Sequence, residues 1–171
     1  MDCAIVPITD ELIPGFHAVL DEVAREKRYL SILEAPPLDK TTAWVQADVR
    51  RGFPHFVALD GPRVIGWCDL SPIDRPVHAH CGVLGIGILG AYRGKGIGRG
   101  LMLATLEQAR AIGLTRIELT VRERNLKATA LYENLGFRRE GRMLNAVRID
   151  GSYENLLSMA LLFDAPAGAM R

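Results

Sequence analysis

The chain has 171 residues, 49% of them apolar and 24% charged, with a formal net charge of +1. That length suits one domain with a sizeable core, and the apolar fraction is that of a globular chain rather than a disordered one. The near-zero charge gives no global basic field, so nothing in the composition points to nucleic acid or another polyanion.

Residues 3–8 (CAIVPI) read as a short strand, with Pro7 tolerable near an edge or an end. A helix capped by Thr9 or Asp10 is predicted to run to about Arg28, with Leu12, Phe16, Val19, Leu20 and Val23 at helical spacing. The paired prolines of SILEAPPLDK exclude a regular helix there and make it a loop. A second helix follows over about 39–51, carrying Trp44 and Val45 and stopping at Gly52. HFVALD and RVIGWCDL form a predicted hairpin across Asp60-Gly61-Pro62, and residues 71–78 form a polar connection. GVLGIGIL is a strand apolar on both faces, which implies burial between layers.

Beyond the glycine-rich stretch GAYRGKGIGRG, Met102, Leu106, Ala109 and Ile112 mark a helix from Gly98 to Ile112 that Gly113 ends. RIELTV is a strand, and NLKATALYENLG is a helix from Asn125 to Gly136. FRREGRMLNAVRI and YENLLSMALL close the chain as strands across an Asp150-Gly151 turn. The order is β-α-α-β-β-β-α-β-α-β-β, a mixed α/β single domain over residues 1–171.

Cys3, Cys68 and Cys81 are odd in number and widely spaced, so free thiols are expected rather than a disulfide framework or a CxxC metal pattern. The N-terminus lacks a basic segment leading into a long apolar run, and no stretch approaches the ~20 apolar residues of a membrane span. A cytoplasmic protein with no membrane partner is expected.

Three phosphate-binding patterns compete for the glycine-rich region. A P-loop fails because Lys95 is followed by Gly96 rather than Ser or Thr. Gly85-Ile86-Gly87-Ile88-Leu89-Gly90 matches GxGxxG literally, but inside a strand instead of at its turn into a helix. Arg93-Gly94-Lys95-Gly96-Ile97-Gly98 has the right context, a strand-end loop running into a helix. The first helical amides lack intrahelical partners and sit at the positive end of the dipole, so they can bind phosphate where no side chain blocks approach. Glycines at 94, 96 and 98 would leave that approach open, with Arg93, Lys95 and Arg99 adding charge. A tight turn with solvated cations is the plainer alternative.

At this point the sequence resembles the GNAT superfamily of acetyl-CoA-dependent N-acetyltransferases. Arg93-x-x-Gly96-x-Gly98 matches that family's [Q/R]-x-x-G-x-[G/A] signature. Asn125 opens the following helix, and Leu131-Tyr132-Glu133-Asn134-Leu135-Gly136-Phe137 reproduces its L-Y-x-x-x-G-F ending. The resemblance implies a mixed sheet with splayed central strands and flanking helices. It also implies acetyl-CoA as acetyl donor, without a metal. Coenzyme A pyrophosphate would lie on the segment from Arg93 to Arg99, and the pantetheine arm in a gap lined by Ile86, Gly87 and Ile88. Asn125 would bind that arm, and Tyr132 would donate a proton to the departing thiolate. The two lie seven residues apart, two helical turns and roughly 10 Å along one face. Asn125 also reads as a plain N-cap, and Tyr132 as a core residue beside Leu131 and Leu135.

An amine must be uncharged to attack, so a proton acceptor is needed. Many relatives carry an acidic residue on the strand before the cofactor loop, yet no carboxylate lies between Asp74 and Glu107. Glu34, in the loop between the first two helices, resembles an acidic acceptor-site position of some members and is the candidate chosen. Glu118, His78 and His80 are weaker ones, each also readable as a surface or structural residue. Tyr153 and the last hairpin are candidates for an acceptor-pocket wall or a contact with a second copy. Trp44 and Trp67 read as buried packing or a pocket wall. The resemblance favours a small primary amine or amino acid as acceptor. A protein N-terminus or lysine, or a non-catalytic acyl-CoA sensor, stands as the alternative.

Overall fold

The computed structural model describes residues 3–164. Seven strands form one sheet in the order β1-β2-β3-β4-β5-β7-β6: β1 Cys3–Pro7, β2 His55–Asp60, β3 Arg63–Pro72, β4 Cys81–Ile88, β5 Arg116–Arg122, β6 Arg138–Ile149 and β7 Ser152–Leu162. All neighbours are antiparallel except β4 and β5, which are parallel. Four helices complete the fold: α1 Ile13–Arg25, α2 Leu38–Arg50, α3 Ile97–Ala111 and α4 Leu126–Asn134.

The first predicted helix is divided. Asp10–Leu12 form a single 3-10 turn, Thr9 makes no side-chain cap, and α1 begins beside Pro14, whose missing N–H is harmless in a first turn. It ends before Lys27, which takes φ 58. The helix buries Ile13, Phe16, Leu20 and Val23 against the sheet, a three- and four-residue spacing. Gly52, at φ 82, follows α2 at the expected stop. At the last hairpin Asp150 and Gly151 take φ 48 and 83, and positive φ at both central residues suits the twist of a tight hairpin.

Two helical layers cover the sheet. On one face Phe16 of α1 meets Trp67 of β3 and His55 of β2 edge-on. On the other, α3 and α4 close on β4, because a Cβ on Gly98 would sit 3.2 Å from Ile88 and 3.4 Å from Leu131. Leu101, Met102 and Ala109 of α3 are fully buried there. Cys68 and Cys81 are buried and Cys3 partly so, all three as free thiols. Among the described residues no helix is long and apolar enough to cross a membrane, and no group of acidic, His and Cys residues could hold a metal ion.

Candidate active site

Strands β4 and β5 pair only at Cys81–Arg116, Gly82–Ile117 and Val83–Glu118. Beyond that point β4 continues on β3 as far as Gly66–Ile88, and β5 continues on β7 as far as Arg122–Leu156. The two central strands therefore diverge, and among the described residues no strand pairs with the far half of β4 on that side. The direction of its backbone groups follows from the ladder. Leu89 donates its N–H to the Ile65 carbonyl across from it, so alternate residues Gly87 and Gly85 also turn their polar groups to β3. Ile86 and Ile88 turn theirs into the gap. Of the three residues expected to line it, Gly87 thus serves another purpose: a Cβ there would fall inside the Trp67 ring.

At the mouth of the gap the chain makes a short 3-10 turn, Gly90–Tyr92, and enters α3. Gly94 and Gly96 take φ 74 and 82, and a Cβ on either would meet nothing within 4 Å. Gly100 donates to the Gly96 carbonyl at 3.1 Å, so the amides of Ile97, Gly98 and Arg99 precede the helical bonding pattern. Gly98 is buried and its missing side chain is accounted for by Ile88 and Leu131, though its amide remains one of those first three.

The cations divide. Lys95 and Arg99 are exposed, with the Lys95 ammonium 5.3 Å above the Tyr92 ring. Arg93 is engaged instead: Nε donates to the Ile88 carbonyl at 2.8 Å, both terminal nitrogens bond the Glu26 carboxylate, and the guanidinium lies 4.5 Å above Tyr29. It ties the end of α1 to the end of β4.

Asn125 is the N-cap of α4, its Oδ1 accepting the Ala128 N–H at 3.2 Å. That bond uses the amide's acceptor end, and Nδ2 is the end that would donate to a carbonyl of a bound arm. Tyr132 is 6% exposed, packed on Phe137, on the α3–α4 side of the sheet. Burial raises its pKa well above the ordinary tyrosine value and the nearby Cys68 raises it further, so the phenol stays protonated throughout the neutral range.

The carboxylate candidates are not equivalent. Glu34 is exposed and ion-paired with Arg25 at 3.4 Å. Glu118 accepts from Arg116 Nε at 3.1 Å, an ordinary strand-surface pair. His78 closes a 3-10 turn and His80 precedes β4, both outside the gap. Tyr153 is 55% exposed beneath Arg148. Trp44 and Trp67 are both in the aromatic layer around Phe16.

Two buried charged residues were not anticipated. Asp69 of β3 is 5% exposed, opposite Gly85, and accepts the Trp67 indole N–H at 2.9 Å. Arg122 at the end of β5 is 1% exposed; Nη2 donates to the Leu30 carbonyl at 2.8 Å. Its Nη1 lies 3.3 Å from the Glu154 carboxylate, close enough for a charge pair but not aligned for a hydrogen bond. A carboxyl between Cys68 and Leu70 in an otherwise apolar strand was a readable signal. The Arg-Glu-Arg run at 122–124 instead read as the end of a strand.

The segment between α1 and α2 is fixed on three sides. Arg93 holds Glu26, Lys27 pairs with Asp150 of the last turn at 3.0 Å, and Arg122 holds Leu30. Surface depressions near Asp10 and Gln46, and near Arg110 and Phe163, include no residue of the gap.

A parallel pair that opens beside the first amides of a helix sets an open strand edge and unpaired N–H groups side by side. The chain belongs to the acetyltransferase (GNAT) family, whose model matches residues 16–137. It is 28% identical over 162 residues, 92% of each chain, to the L-methionine sulfoximine/L-methionine sulfone acetyltransferase of Pseudomonas paraeruginosa. It is also 28% identical over 147 residues, 85% of this chain and 90% of the other, to the L-amino acid N-acetyltransferase AaaT of Escherichia coli. In structure it is similar to a phosphinothricin acetyltransferase from Sinorhizobium meliloti in complex with acetyl-CoA. The TM-score is 0.91 at 20% identity, over 100% of this chain and 93% of the other. The chain is accordingly an acetyltransferase with acetyl-CoA as co-substrate.

Proposed function

We propose that this enzyme acetylates a small primary amine, of the amino-acid class, by direct attack of the amine on acetyl-CoA. The observation that carries the acceptor size is the triply anchored α1–α2 segment. Contacts to the loop after β4, to the end of β5 and to the last turn hold it across the ends of the two diverging strands, where an open peptide groove would need a clear path. The named substrates of the relatives, methionine sulfoximine, L-amino acids and phosphinothricin, support the same class.

In this reading the amides from Gly94 to Arg99 bind pyrophosphate, with Lys95 and Arg99 adding charge and Arg93 holding the loop in place. The backbone of Ile86 and Ile88 pairs with the pantetheine arm as a further strand would, and Asn125 Nδ2 donates to it. Acetyl-CoA supplies the activated acyl group as a thioester. Tyr132, held neutral, donates a hydrogen bond where thiolate charge develops. Glu34, exposed on the segment between α1 and α2, attracts the acceptor's ammonium.

Calorimetric titration with acetyl-CoA, followed by turnover against a panel of amines, tests the reading. The panel holds L-amino acids, methionine sulfoximine, phosphinothricin, and peptides with a free N-terminus or lysine. Turnover confined to the small amines is expected. Preference for peptides would move the acceptor to protein, and binding without turnover on any amine would make the protein an acyl-CoA sensor.

A further inference from the structure

Strand β4 carries no carboxylate, yet the neighbouring strand buries one against it. A Cβ on Gly85 would lie 2.7 Å from Asp69 Oδ1, so the absence of a side chain at Gly85 is what gives Asp69 its place over β4. Asp69–Gly85 and Cys68–Ile86 are adjacent rungs of the β3–β4 ladder. Asp69 shares the α1 face with Trp67, while Tyr132, beside Cys68, stands on the opposite face at the next rung. The two ionisable groups therefore flank the splayed part of β4 from its two sides.

Among the described residues no cation pairs with Asp69. Oδ1 accepts the indole N–H; Oδ2 has no hydrogen-bond partner, yet it is not one of the unpartnered atoms sealed from solvent. The charged and titratable groups facing it are few. Its cross-strand partner on β2 is His55, held neutral by burial; α2 brings Asp48; α1 brings the apolar Phe16; and β4 brings Gly85. A carboxylate enclosed this way without a counter-ion is costly to keep ionised.

On the basis of the acetyltransferase reading above, we propose that Asp69 is the proton acceptor of the reaction, taking a proton from the acceptor's ammonium on the α1 face of the gap. The step balances. The ammonium N–H bond breaks and the proton joins the Asp69 carboxylate, leaving a neutral amine. Its lone pair forms the C–N bond at the thioester carbonyl and the C–S bond breaks, with the electron pair leaving on sulfur on the Tyr132 side. The nitrogen's second proton neutralises the thiolate by way of the Tyr132 hydroxyl, and Asp69 returns its proton to water. Burial, opposed by the indole hydrogen bond and reinforced by Asp48, pushes the Asp69 carboxyl up to about 7, a value suited to a base working at neutral pH.

Asp69→Asn tests this, because the amide oxygen can still accept the Trp67 N–H. Expected is a fall of about 100-fold in kcat/KM at pH 7 with acetyl-CoA affinity within about twofold. The deficit should shrink about tenfold per pH unit above 7 as free amine accumulates, since a neutral amine needs no base. A loss that is the same at every pH, or activity within threefold of the parent, overturns the proposal.

A second readout needs no turnover. The chain has two tryptophans, and the indole N–H resonance of Trp67 should titrate near neutral pH in the parent and lie flat in Asp69→Asn. An indole resonance that does not move between pH 5.5 and 8.5 overturns the proposal too. If the parent binds acetyl-CoA and acetylates no amine, the functional reading fails and this assignment with it. If the parent turns over and the variant keeps its pH profile, only the assignment fails.

Discussion

Gly85 and Gly87 lie in a strand where a Cβ would strike Asp69 or fall inside the Trp67 ring, whereas Gly94 and Gly96 lie in a loop where it would meet nothing within 4 Å. The second pair takes φ 74 and 82, a region that other residues occupy only with strain. In the strand, glycine makes room for a neighbour's side chain. In the loop, it permits a backbone path that brings free amides to the end of α3. One short stretch of chain thus uses the same residue for packing on one side of Leu89 and for backbone direction on the other.

Substitutions should separate the two uses. Gly87→Ala forces the Trp67 ring aside in a filled core and should cost about 3 kcal/mol, at the upper end for overpacking, which lowers Tm by roughly 6–12 °C. A thermal melt within about 2 °C of the parent would show that the ring has room to move.

Tyr132→Phe leaves packing nearly intact and should reduce kcat by about 100-fold, with calorimetric acetyl-CoA affinity within about twofold. Parallel losses in kcat and affinity would make Tyr132 a structural residue of the α4 layer. Gly96→Ala should cost about 1–2 kcal/mol through its left-handed backbone, read as weaker acetyl-CoA binding in a folded protein. Unchanged affinity would remove the loop from the phosphate site.

Asp69 and its cross-strand neighbour His55 set opposite pH dependences on stability. The folded Asp69 pKa, about 7, lies above the ordinary carboxyl value near ~4, so the folded chain binds this proton more tightly and stability falls as pH rises through that window. Asp69→Asn should therefore raise Tm relative to the parent at pH 8, the gain shrinking as pH falls and disappearing by pH 4. His55, lowered to about 3 by burial, behaves the other way: its contribution is present above ~6.5 and lost as pH falls toward 3. Melts of parent and variant from pH 4 to 8 separate the two slopes. The smallest effect is expected at the solvent-exposed pair Lys27–Asp150, where Lys27→Met should change stability by less than about 1 kcal/mol. A larger loss would mean that the placement of the α1–α2 segment depends on this tie.

The element order, the helix after the glycine-rich loop and the two-residue turn at Asp150-Gly151 were all legible in the sequence. They depend on local rules: apolar periodicity, capping by Asn125, and positive φ at glycine. The motifs Arg93-x-x-Gly96-x-Gly98 and Leu131-Tyr132 through Phe137 likewise identified the family, because they are short and contiguous. Only the tertiary structure decided that Gly87 turns its backbone to β3, since ladder direction depends on a partner twenty residues away at Trp67. Arg93's commitment to Glu26 and Arg122's burial under Leu30 were equally out of reach, as each joins segments distant in the chain. Asp69 lies between the two cases. A lone carboxyl in RVIGWCDL was visible as an anomaly, but its place over Gly85, and the burial that raises its pKa, exist only once β3 and β4 have paired and α1 has closed over them.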